Sequence, residues 1–84
     1  MKVEASNFSF DPDELSARAG AQVTVEFTNS DKTPHMFTID ELECDTGNVG
    51  AGQSAELSFT MPDQETAWLC LIHSDMTGLL SVKR

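Results

Sequence analysis

Residues 65–84 read ETAWLCLIHSDMTGLLSVKR, and the fold turns on how this stretch is understood. Trp68 and Cys70 share one phase of a two-residue alternation, with Ala67, Leu69 and Leu71 on the other. Farther on, Leu80 and Val82 alternate with Ser81 and Lys83. Successive strand side chains point to opposite faces, so both runs read as half-buried strands. Between them Cys70, His73 and Met76 fall within seven residues, on the end of one strand and the loop after it.

The same period recurs upstream. Val23, Val25 and Phe27 alternate with Thr24, Glu26 and Thr28, and Ala55, Leu57 and Phe59 with Glu56, Ser58 and Thr60. Val3 and Ala5, then Phe8 and Phe10, mark strand structure at the N-terminus, and Met36 to Asp40 predicts another strand. Asp11-Pro12-Asp13, Ala19-Gly20, Asn29-Ser30-Asp31-Lys32 and Met61-Pro62-Asp63 supply the turns between runs. No helical stripe of useful length, internal repeat or linker interrupts the pattern. The expectation is one domain over residues 1–84, an all-β sandwich of about seven to eight strands.

Composition narrows the function. Fourteen Asp and Glu against five Lys and Arg leave a net charge of −9. Nothing basic is gathered to neutralise phosphates, which argues against nucleic acid and an anionic membrane surface. No segment nears the roughly 20 apolar residues of a membrane-crossing helix, so no direct membrane insertion is expected. Met1-Lys2-Val3-Glu4 opens no signal-peptide core. That leaves a cytoplasmic chain, or one from which a leader or anchor has been removed. The glycines from Gly47 to Gly52 lack the GK[ST] ending of a phosphate loop and read as a hairpin or loop. No Ser–His–Asp arrangement can be placed, and the chain is not read as an enzyme.

Metal chemistry fits better. Cys-x-x-His-x-x-Met lets one short loop present a thiolate, an imidazole and a thioether to a single point. A fourth donor must come from elsewhere, and His35, after Thr33-Pro34, is the only other histidine. Loops at one end of a sandwich converge, which would bring His35 to Cys70. Thiolate and thioether are soft and select against magnesium and calcium, while zinc has little use for a thioether. Two His, one Cys and a weak axial Met suit copper in an electron-transfer site.

With these residues in place, the chain resembles the cupredoxins, the small blue-copper family of plastocyanin and amicyanin. The likeness runs through FSFDPDELSARAGAQVTVEFTNSD, TPHMFTIDEL, GAGQSAELSFTMP and WLCLIHSDMTGLLSV. The short Cys-to-Met spacing is closer to the amicyanin type than to the longer plastocyanin type. The resemblance implies a Greek-key β-sandwich holding one type 1 copper ion, with His35, Cys70 and His73 equatorial and Met76 axial. It implies a monomeric electron carrier working in the periplasm or outside the cell. Its redox partners would dock transiently near His73, beside an apolar patch of Leu71, Ile72, Met76 and Leu79. A copper carrier or store without redox cycling, and a module of a larger oxidase, are the alternative functions.

Three positions depart from the family pattern. Met36 stands where an Asn commonly braces the Cys loop, Leu71 where a Ser or Thr often follows the Cys, and Ile72 where a Pro precedes the second His. Ile72 keeps an N–H that proline lacks, available to the Cys70 sulfur. Cys44 is expected as a buried free thiol, because a disulfide to Cys70 would remove the thiolate that copper needs.

Overall fold

The computed structural model describes residues 1–73 and 76–83. Among the described residues nine strands follow one another: β1 Lys2–Ser6, β2 Ser9–Asp11, β3 Glu14–Arg18, β4 Gln22–Asn29, β5 Thr38–Ile39, β6 Cys44–Asp45, β7 Ser54–Thr60, β8 Thr66–Leu69 and β9 Thr77–Lys83. A 3₁₀ turn, Asp40–Leu42, sits between β5 and β6. One sheet runs β2-β1-β4-β7 and the other β3-β9-β8-β5-β6. The chain changes sheet between β2 and β3, β3 and β4, β4 and β5, β6 and β7, and β7 and β8. The strand count exceeds the seven to eight expected because β2, β5 and β6 are pieces of two or three residues.

Alternation decides which faces meet. Val23, Val25 and Phe27 of β4 are buried, as are Val3 and Ala5 of β1 alongside it. Trp68 of β8 and Leu80 of β9 are buried from the opposite sheet. Phe10 and Phe27 reach across to Phe37 and Trp68, with ring centroids between 5.0 and 6.1 Å for the pairs among them that touch. Such aromatic pairs contribute about 0.5–1.5 kcal/mol each beyond their buried area. That matters in a chain this short, whose core is thin.

Two parallel pairings close the sandwich: β1 beside β4 and β3 beside β9. The long antiparallel pair β4–β7 runs from Gln22↔Thr60 to Thr28↔Ser54. It forms a spine, with Met61 near its first end and Asn29 at its second. At the Asn29 end gather the β1–β2 turn, the segment from residue 30 to 37, Val49, and the connection between β8 and β9.

Candidate metal centre

Each sequence-predicted donor is delivered to that end by a local device. His35 is held by a two-way backbone bridge with Val49, N–H to C=O at 3.1 and 2.8 Å. The glycine-rich loop therefore carries the strand-like partner of His35. Cys70 follows the last residue of β8, and its N–H donates to the Met76 carbonyl at 3.1 Å. The Met76 N–H donates in turn to the His73 carbonyl at 2.9 Å, so the loop is drawn back on itself. Cys70, Met76 and His35 are all buried, and His73 is half-buried.

Cys70 Sγ and His35 Nδ1 lie 3.8 Å apart. The His73 ring lies beside the His35 ring, with centroids 5.1 Å apart. Among the described residues no His73 Nε2 partner is found, although that atom is shielded from solvent. Among the described residues, too, no three His, Cys, Asp or Glu side chains converge as a cage of those donors alone. What the fold assembles is a thiol–imidazole pair, a second imidazole against it, and a buried methionine on the same loop.

One backbone donor serves the sulfur. The Met36 N–H points at Cys70 Sγ from 3.3 Å. Among the described residues the N–H that reaches the sulfur is that of Met36, next to His35, and not that of Ile72. The segments around His35 are braced by Asn29. Its buried amide donates to the Thr33 and Val49 carbonyls, both at 2.8 Å, and its Oδ1 accepts from the Asp31 N–H at 2.9 Å. One side chain thus ties together the two backbone segments that hold His35. Burying an amide is tolerable only with its hydrogen bonds made, and here three are.

In the sequence Asp31 stands out only as turn chemistry. Its carboxylate accepts from the backbone N–H of Asn7 at 2.7 Å and of Phe8 at 2.9 Å, and meets His35 Nε2 at 2.8 Å. With Nε2–H donating to Asp31, the imidazole presents Nδ1 as its lone-pair face, and Nδ1 is the atom turned to Cys70. The Phe8 N–H bond is the main cause holding the Asp31 carboxyl below its ordinary value of 3.8. Burial opposes it, while the His35 bond, the Asn7 N–H and the His35 charge lower it further. A carboxyl depressed on folding adds stability above its unfolded value, and that stability disappears as pH falls through the folded value. The gap in unfolding free energy between wild type and Asp31→Asn, both metal-free, should therefore stay level above about pH 5 and shrink below it. Denaturant titrations across that range would show it; a gap of constant size down to strong acid would contradict the assignment.

Other expectations shift in detail. Leu71 and Ile72 are exposed beside His73, at 54% and 44%, as an apolar patch requires. Met76 is buried and Leu79 half-buried, so Met76 does not belong to that surface. Cys44 and Cys70 are both free thiols. Cys44 is half-buried rather than fully enclosed, in β6 opposite Ile39, and burial, then the Asp45 charge, pushes its thiol up. Phe8 is not a core strand residue. It occupies the two-residue turn joining β1 to β2, with Phe10 alone entering the core.

The chain's likeness to known proteins agrees with this architecture. A model of the cupredoxin-like domain matches residues 1–82. Dithionite-reduced auracyanin from the photosynthetic bacterium Roseiflexus castenholzii superposes with a TM-score of 0.84 at 20% identity, over 99% of this chain and 95% of that one. Auracyanin A, a "blue" copper protein from Chloroflexus aurantiacus, gives 0.81 at 19% identity, over 99% and 97%. The copper-containing nitrite reductase of Thermus scotoductus gives 0.76 at 27% identity, over 99% of this chain but 22% of the reductase. No curated protein matches the sequence. The family match runs over nearly the whole chain, and the chain belongs to the cupredoxin-like family.

Proposed function

We propose that the chain is a small electron carrier in which His35, Cys70, His73 and Met76 would together hold one type 1 copper ion. The observation that carries this reading is the buried pair of Cys70 Sγ and His35 Nδ1, 3.8 Å apart, with Met36 N–H on the sulfur. Copper bound to such donors supplies a one-electron Cu(II)/Cu(I) couple. The protein's part is done by its own residues. Asp31 sets the His35 tautomer, Asn29 holds the two segments around His35, and the backbone bonds at Cys70 and Met76 hold the loop. A site held this way on both sides resists rearrangement when charge changes, which favours fast exchange.

The partner is proposed to be a redox protein docking briefly beside His73, where Leu71 and Ile72 are exposed. Small interfaces suit such encounters. With a net charge of −9, approach to a basic partner is fast at low salt and slows as salt rises. Among the described residues no helix is long and apolar enough to cross a membrane. On the family likeness we assign the working place to the periplasm or the cell exterior, which fractionation of the source cells would check.

Titrating the metal-free protein with Cu(II) tests the reading. An intense blue thiolate-to-copper absorption that bleaches on reduction and returns on oxidation is expected. A colourless protein that takes up only Cu(I) would replace the electron carrier with a copper carrier or store.

A further inference from the structure

The turn between β1 and β2 carries an anomaly that the metal donors do not explain. Ser6 and Ser9 face each other, so Asn7 and Phe8 make a two-residue hairpin loop. Both have left-handed backbones, φ 53° and 59°. Positive φ at both positions is what a type I′ turn demands, and Asn-Gly is its usual sequence. Asn tolerates that region; a bulky phenylalanine at the second position is an outlier. Phe8 is also 54% exposed, so burial of its ring does not account for it.

The ring does have neighbours. It stands edge-on to His35, centroids 5.7 Å apart and planes at 89°, and to His73, 5.1 Å apart at 84°. No other aromatic ring among the described contacts touches both imidazoles. His73 Nε2 is shielded from solvent with no hydrogen-bond partner among the described residues. The backbone N–H groups of Asn7 and Phe8 are both held by the Asp31 carboxylate, which also holds His35. One carboxylate thus fastens the turn and the imidazole beneath it.

We propose that Phe8 is the cap of the candidate metal centre. Clamped over His35 and His73 through Asp31, its ring closes the imidazole edge against water and small ligands. Strain at a sparsely populated backbone position persists where surrounding structure enforces it, and such positions cluster at functional sites. The role of Phe8 is positioning and exclusion: it donates nothing to the metal, and it decides what reaches the imidazoles. The inference rests on the copper reading for its purpose, but its geometry belongs to the polypeptide alone.

The test uses that independence. Phe8→Gly removes the ring and suits the left-handed turn, so folding is not at stake. Metal-free wild type and variant are treated with diethyl pyrocarbonate at neutral pH, and acylation of His73 and His35 is followed by mass spectrometry of peptides. His73 in Phe8→Gly should react about three- to tenfold faster, the factor set by an edge-on aromatic contact that must open first in the wild type. Asp31→Ala, which frees the turn, should raise the His73 rate as well, while Asp31→Asn should do so less. In copper-loaded protein, azide should alter the absorption spectrum of Phe8→Gly and leave that of wild type unchanged. Equal His73 rates in wild type and Phe8→Gly would overturn the cap, whatever colour the copper protein has. Faster acylation in a chain that never turns blue would keep the cap and sink the electron-carrier reading instead.

Discussion

Replacing Gly78 with alanine is expected to lower the thermal midpoint of the metal-free protein by roughly 10–20 °C. Gly78 of β9 stands directly opposite Trp68 of β8. A Cβ at that position would overlap Cε2, Cζ2 and Cη2 of the indole. The requirement is for space: Gly20, Gly47 and Gly52 have left-handed backbones, whereas Gly78 does not. Trp68 cannot step aside easily, being fully buried, stacked on Phe37 at 5.0 Å and edge-on to Phe10 at 5.8 Å. Overpacking of a core costs about 1–3 kcal/mol, and a rigid indole puts this site toward the upper end. In a domain of this size each kcal/mol moves the midpoint by about 4–8 °C. Circular dichroism melts of Gly78→Ala, Trp68→Phe and the double variant decide it. The smaller ring should accept the added methyl, so the double variant should lose less than the two single losses combined. Simple additivity would mean that the indole is not the obstacle.

The second large effect concerns Cys70→Ser. The thiolate-to-copper absorption should vanish completely, while the metal-free variant keeps its fold to within about 1–2 kcal/mol. Cys70 is fully buried between His35 and the Met36 N–H, and a serine oxygen there offers neither a soft ligand nor an easily lost proton. Cys44→Ser is the control. That thiol lies in β6, half-buried, with burial holding it protonated, and the colour should survive its removal. Copper titrations of both variants, followed by absorption and electron paramagnetic resonance, separate the outcomes. Bleaching by both substitutions would make Cys44 a participant and require a different ligand set.

Much of the fold was legible because alternation is a local signal. The phases of Val23, Val25 and Phe27, and of Trp68 and Cys70, give buried faces in the structure. Cys70, His73 and Met76 stand out in the sequence because such chemistry is scarce in so short a loop, and the structure sets Cys70 and both histidines side by side. What surrounds them was not legible. Phe8 and Phe10 have the same parity, so alternation put both on one strand face. Two left-handed residues in the β1–β2 turn send one to the surface and the other to the core. Asp31 lies in a run of turn formers, where an aspartate needs no further explanation. Its partners, Asn7 and Phe8, are brought to it only by the pairing of β1 with β4. Asn29 and Gly78 were invisible for the same reason, since their roles depend on Val49 and Trp68 from other strands.

The parallel pairing of β3 with β9 bears on how quickly the chain reaches this state. Glu14 lies opposite Leu79 and Arg18 opposite Lys83, so the sheet carrying Cys70 closes only when the two far parts of the chain meet. Such distant pairings are entered late, after a large loss of chain freedom, and they put folding in the range of milliseconds to seconds. Cys70 directly follows β8 and Met76 directly precedes β9, so both come into place with the slow step. On the proposed copper reading, a nascent or stretched chain would offer no such set of donors, and capture of the metal would wait for β9 to dock.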